Sequence, residues 1–197
     1  MGDALRYIAL GDSYTICTGA SDQSKAWPSI LARRLEEKTG QKVALTNPAV
    51  NGYTTLDLIR DELPLVQRLN PSLVTVLIGV NDLVRGRTLA HYDTSLAEIY
   101  DALQGRTVFA ISIPSWYFVP AAAQFGGSDR VERLTRQFND VAHEQASAHG
   151  YRWIDIGPAS RSRIGAPGWI ASDDLHPGDA QYAAWADVIW EEVAAVF

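Results

Sequence analysis

The sequence predicts an α/β fold built on a mainly parallel, five-stranded sheet with helices on both faces. Three observations carry that expectation. Short β-branched or apolar runs alternate with segments of helical periodicity from end to end, which implies βαβ crossovers. The runs are apolar almost throughout, as strands covered on both faces require. Gly40, Gly105 and Gly150 each stand just past a helical pattern and just before a strand, where a left-handed C′ residue is wanted.

The expected strands are residues 7–10, 43–46, 73–78, 107–113 and 152–156. Trp27, Ile30, Leu31 and Leu35 share one face of the first helix. In the second the expected face is Leu56, Ile59, Leu63 and Val66, with Pro64 as a kink. Thr54 and Asp57 have capping-box spacing ahead of it. Leu96, Ile99, Tyr100 and Leu103 mark the third helix, and Val131, Leu134, Phe138 and Val141 the fourth. The last helix buries Tyr182, Trp185, Ile189 and Val193. No repeat, low-complexity tract or linker interrupts the pattern, so residues 1–197 are expected to form one domain.

A protein of 197 residues, 47% hydrophobic and 20% charged, buries enough core to fold without a disulfide or metal staple. Its one cysteine, Cys17, has no second cysteine to pair with, which points to a thiol-keeping, cytoplasmic compartment. Net charge is −6, and the basic stretch 130–136 alternates with Val131, Glu132 and Leu134 as a solvated helix face does. Nucleic-acid binding, which needs a basic footprint, is therefore not expected. No apolar run approaches the ~20 residues of a membrane span. Met1-Gly2-Asp3-Ala4 is expected to enter the first strand at once, without a signal peptide.

In an open parallel sheet, ligands bind at the carboxyl ends of the strands. The first strand is followed there by Gly11-Asp12-Ser13-Tyr14-Thr15 and the second by Asn47-Pro48-Ala49-Val50-Asn51-Gly52. The third is followed by Gly79-Val80-Asn81-Asp82, and the fifth, after a long loop, by Asp173-Asp174-Leu175-His176-Pro177. These are the parts of a nucleophile, an oxyanion hole, and a base with its orienter. A serine hydroxyl needs a neutral imidazole to take its proton, and the imidazole needs a carboxylate to hold its tautomer. Asp173 stands three residues before His176, so one short turn can join them. Pro177 then suits the first turn of the last helix. The Ser13 and Gly52 backbone N–H groups and the Asn81 side-chain amide are the oxyanion donors.

The loops Gly11-Asp12-Ser13, Asn51-Gly52, Gly79-Val80-Asn81-Asp82 and Asp173-x-x-His176 resemble, in order, the four blocks of the GDSL, or SGNH, hydrolases. The resemblance spans nearly the whole sequence. It implies a flavodoxin-like three-layer α/β/α fold and hydrolysis of esters or thioesters without metal or cofactor. It also carries the roles of Ser13, Gly52, Asn81, Asp173 and His176 assigned above. Two positions depart from the pattern: Tyr14 stands where the family name has leucine, and the block around Gly52 is otherwise loose.

The expected activity is acyl transfer from a small-molecule ester, either a short-chain acyl or aryl ester or an acetylated carbohydrate. It is expected to rise with pH through the histidine titration, near the reference value of ~6.5. A thioesterase or lysophospholipase would use the same machinery, and a non-catalytic flavodoxin-like binding module is the alternative of a different class. That module leaves Asp173-x-x-His176 unexplained, and neither a Walker nor a GxGxxG glycine pattern is present. An α/β-hydrolase would need a mid-sequence G-x-S-x-G elbow, which is absent. Trp116 and Tyr117 lie in a long loop that either walls a pocket, with Gly126-Gly127 as hinge, or covers the sheet edge. Trp169 and Ile170, just before Asp173, would form the opposite wall. His143 and His149 stand six apart and share no helix face, the HExxH zinc pattern is missing, and no metal site is expected. Cys17 reads as a small buried residue.

Overall fold

The computed structural model of the protein describes residues 4–197. The Met1-Gly2-Asp3 segment, expected to lead straight into a strand, lies outside the described residues.

In sequence order the elements are β1 (Leu5–Gly11), α1 (Ser13–Ile16), α2 (Trp27–Thr39), β2 (Val43–Thr46), α3 (Thr55–Asp57) and, after a π turn (Leu58–Glu62), α4 (Leu63–Leu69). β3 (Leu73–Leu77), α5 (Val80–Val84), α6 (Leu89–Ala102) and β4 (Thr107–Ile111) follow. The remainder is α7 (Ser128–Ala148), β5 (Arg152–Ile154), α8 (Gly157–Arg161) and α9 (Asp179–Ala194). The five strands form one sheet of order β2-β1-β3-β4-β5, parallel at every pairing. All five expected strands are present, and the last three end where their expected apolar tails leave the ladder.

Helices α2 and α9 pack together over one face of the sheet, and α6 and α7 over the other. This is the flavodoxin-like order, in which the winding direction reverses between β1 and β3. β3 is buried along its whole length, while the edge strands β2 and β5 keep exposed positions. Trp27, Trp185 and Tyr182 fill the core below α2 and α9. Gly40, Gly105 and Gly150 all have positive φ, so each helix-to-strand turn uses the left-handed residue that its pattern requires.

The second helix differs from expectation. Thr54 caps it in a capping box with Asp57, but Leu56 is 44% exposed and the buried positions are Leu58, Glu62, Leu63 and Val66. Pro64 has no N–H, and its ring would collide with the carbonyl one turn back. The backbone opens there into a π turn, with the Leu63 N–H bonding to the Leu58 carbonyl, rather than kinking an α-helix. The extra residue rotates the buried face and carries Glu62 into the core. The last helix also begins later than expected. Gly178 is its N-cap, and Pro177 instead pairs with Ile170 in an antiparallel bridge.

Among the described residues, no helix is long and apolar enough to cross a membrane.

Candidate active site

The turn after β1 is tightly determined. Gly11 has φ +156, and a Cβ there would lie 2.2 Å from Thr15 Oγ1 and 2.3 Å from the Leu77 carbonyl oxygen. Only glycine lets the backbone pass. Asp12 is the N-cap of α1, its Oδ1 accepting the Tyr14 N–H at 3.0 Å. Ser13 is the first residue of that single turn, and Cys17, buried and left-handed, ends it. Tyr14, where the family pattern has leucine, fits its ring edge-on against Trp185 at 5.7 Å and against His176 at 6.1 Å.

Three carboxyls are buried beneath this turn. Asp12 Oδ2 accepts the Asn81 side-chain amide at 3.3 Å. Asp82 is completely buried and accepts the Thr55 backbone N–H at 2.9 Å and its hydroxyl at 2.7 Å, so it ties the loop after β3 to the start of α3. Glu62 accepts the Gly11 N–H at 3.0 Å. Burial pushes the Asp12 carboxyl up to about 7 and the Glu62 carboxyl up to about 8. Burial also raises Asp82.

The opposite side is built from one short loop. His176 Nδ1 lies 2.6 Å from Asp173 Oδ2, while Asp173 Oδ1 accepts the N–H groups of Leu175 at 3.0 Å and His176 at 2.9 Å. Asp174 takes a left-handed φ of 61 to close the turn. Burial alone would raise the Asp173 carboxyl, but the His176 imidazole and the two backbone amides outweigh it and hold it below its ordinary value. A carboxylate so placed fixes the imidazole with its other nitrogen free for proton transfer.

Ser13, Asn81 and His176 line one pocket of about 70 Å³, closed by the apolar side chains of Val80, Val84, Trp116, Phe125 and Leu175. The fold thus brings together three of the five residues expected at the site, with Asp173 directly behind His176. Gly52 has φ +81, its carbonyl accepts Arg85 Nη2 at 2.8 Å, and it does not line the pocket. Asn81 is held by a second bond, from its Nδ2 to the Tyr53 carbonyl at 2.9 Å.

The four residues expected to wall the substrate separate. Trp116 lines the pocket, its Nε1 anchored 3.0 Å from Thr135 Oγ1. Tyr117 faces a different, polar cavity of about 510 Å³ that also touches Trp116. Ile170 borders a crevice beside His176 and Pro177. Trp169 is 1% exposed. Its Nε1 donates to the Ser160 carbonyl at 2.8 Å and its own carbonyl receives the Gly178 N–H at 3.0 Å, so it pins the loop to α9. Sequence reasoning misses Val80 and Val84, although their i, i+4 spacing beside Asn81 marks one helix face. It also misses Glu62, which closes the charged run Arg60-Asp61-Glu62 and so reads in sequence as solvated surface.

The sequence and the fold are similar to those of known esterases. Residues 9–184 match the GDSL-like Lipase/Acylhydrolase family. The sequence is 23% identical over 188 residues to Esterase TesA of Pseudomonas aeruginosa, covering 93% of this protein and 85% of that one. It is 26% identical over 175 residues to an arylesterase of Vibrio mimicus, covering 87% and 80% respectively. Among solved structures, an acetyl xylan esterase from Geobacillus stearothermophilus superposes with a TM-score of 0.79 at 18% identity, over 98% of this protein and 96% of that one. Two further structures of that esterase, one with a serine and one with a histidine replaced by alanine, are of catalytic mutants.

Proposed function

This chain belongs to the GDSL-like lipase/acylhydrolase family, and from that premise we propose that it hydrolyses short-acyl carboxylic esters through a Ser13–His176–Asp173 triad. The family and its esterase relatives make the protein an esterase or acylhydrolase; the triad and the acyl length are our reading. The observation that carries it is the convergence of Ser13, Asn81 and His176 on one small pocket, with Asp173 2.6 Å behind the imidazole.

In this reading residues 1–197 act as one hydrolase domain. Ser13 Oγ attacks the ester carbonyl as His176 Nε2 takes its proton. The tetrahedral oxyanion receives the Ser13 and Gly52 backbone N–H groups and the Asn81 amide. His176 then protonates the departing alcohol, and water, activated by the same imidazole, releases the acid. Asn81 holds Tyr53 by its shorter bond and Asp12 by its longer one, so the N–H facing Asp12 is the one for which the oxyanion competes. The chemistry calls for no metal or cofactor. Attack requires the imidazole in its neutral form.

The small pocket of about 70 Å³ beside Ser13 supports an acetyl-sized acyl group over a long tail. The acetyl xylan esterase likeness supports a short acyl group and leaves the alcohol open between aryl and carbohydrate. Hydrolysis of p-nitrophenyl esters from acetate to decanoate, by the wild type and by Ser13→Ala, tests the proposal. The expected result is a preference for acetate or propionate and a loss of about 10⁴-fold or more in kcat for Ser13→Ala. Equal turnover by the two proteins would remove Ser13 from the mechanism.

A further inference from the structure

One buried group has no part in the acyl-transfer scheme. Glu62 lies in the π turn and is 1% exposed. Its Oε2 accepts the Gly11 N–H at 3.0 Å, and its Oε1 is buried without any hydrogen-bond partner.

The reason for the Gly11 bond lies in the sheet register. On one side β1 stays paired to its end, with Gly11 opposite Leu77 of β3. On the other side the pairing stops at Ile8, opposite Thr46 of β2. At Gly11 there is no β2 residue to pair with, and a carboxyl from the π turn supplies the acceptor. Two residues later stands Ser13. No larger residue fits at Gly11, so the backbone entering the nucleophile turn is held by glycine sterics, by Glu62 and by the Asp12 cap.

We propose that Glu62 is the positioning residue for the nucleophile: its carboxyl holds the Gly11 amide and so sets the angle at which the turn presents Ser13. The assignment rests on Ser13 being the nucleophile. A role in packing alone does not account for it, because an orphaned buried carboxyl oxygen lowers stability relative to an apolar group of the same length. Such local costs persist where a functional geometry depends on them, and π turns recur at functional sites. Burial keeps the carboxyl protonated at neutral pH, up to about 8, so a neutral carbonyl oxygen is the acceptor that the Gly11 amide sees.

Two variants of the full-length protein separate positioning from packing. Glu62→Gln preserves the acceptor, and Glu62→Met preserves length and burial while removing it. Measured for each are kcat and KM on p-nitrophenyl acetate, the rate at which a fluorophosphonate labels the protein, and Tm. Glu62→Gln is expected to stay within about 3-fold of wild type in kcat. Glu62→Met is expected to lose about 10- to 100-fold in kcat and in labelling, with KM within about 2-fold, and with Tm within about 3 °C of wild type because the orphaned Gly11 N–H offsets the removal of the orphaned Oε1. Wild-type kcat in Glu62→Met would overturn the assignment, as would equal losses in both variants or a loss matched by a fall in Tm. Ser13→Ala is the control: if it still hydrolyses the ester, the triad reading fails. If it is inactive while Glu62→Met is not impaired, only the Glu62 assignment fails.

Discussion

The two halves of the active site are built in opposite ways. The nucleophile side is assembled from residues far apart in sequence: Gly11 and Asp12 from the end of β1, Glu62 from the π turn, Asn81 and Asp82 from the start of α5. Its carboxyls are buried, and several of its backbone and side-chain donors end on them. The base side is one turn, in which Asp173 binds the ring of His176 and two backbone amides within three residues, and the Asp173 side chain is 43% exposed. Rigid support is concentrated under the serine. The histidine is held by local turn geometry, by Tyr14 at its edge and by the Ala171 amide on its carbonyl. Damage on the base side should therefore disturb chemistry with little cost to the fold, whereas damage to the Asn81 network under Ser13 couples the two.

The sharpest way to break that contrast is Asp173→Asn. The amide keeps an acceptor for the Leu175 and His176 N–H groups but no longer stabilises the imidazolium, so kcat falls about 10³- to 10⁴-fold. Thermal unfolding should be nearly unchanged; a large fall in Tm would show that the base turn bears more of the fold than its exposure implies. Next in size is Asn81→Ala, which removes one oxyanion donor and is expected to cost about 10²- to 10³-fold in kcat. Because Asn81 also bonds Tyr53 and Asp12, this variant should lose stability too, as a fall in urea midpoint.

A smaller effect belongs to Trp116, which lies between the pocket of about 70 Å³ and the cavity of about 510 Å³. Trp116→Ala should raise kcat/KM for octanoate relative to acetate by about 10-fold. An unchanged acyl-length profile would show that Phe125, 5.4 Å away, is the real end of the pocket.

The smallest expected effect concerns pH and stability. Glu62 titrates at about 8 in the folded protein against an ordinary 4.5, and Asp12 at about 7 against 3.8. The folded state thus binds more protons than the unfolded one between roughly pH 4 and 8. Stability should fall as pH rises through that window and level off outside it. Glu62→Gln should reduce the slope across the window and abolish it above about pH 7, seen as a larger Tm gain at pH 8 than at pH 5. A wild-type slope in this variant would place the missing proton elsewhere.

Much of this is legible in the sequence. The five strands, the glycine turns and the capping box at Thr54 depend on local rules, and so does the Asp173–His176 spacing, where three residues of turn put carboxylate and ring in contact. Loop length alone points to Trp116 as a pocket residue. Other features depend on packing between distant segments. Nearness to Asp173 suggests Trp169 as a second pocket wall, yet its indole has a carbonyl partner on α8 that no local pattern announces. Pro177 fits a helix start as well as it fits a bridge to Ile170, and only the docking of that loop chooses the bridge.

The second helix shows the division most clearly. Alternation, spacing and chemistry determined that a helix follows Thr54, that the sheet is parallel, and which strand ends carry serine, asparagine and histidine. Each of these is decided by residues within a few positions of one another. Which face of that helix is buried was decided only in the folded protein. One extra residue in the turn before Pro64 rotates every side chain on it, exposing Leu56 and bringing Glu62 under the nucleophile. Periodicity read at 3.6 residues per turn cannot register a single wider turn, and the amide that Glu62 meets belongs to a strand fifty-one residues away.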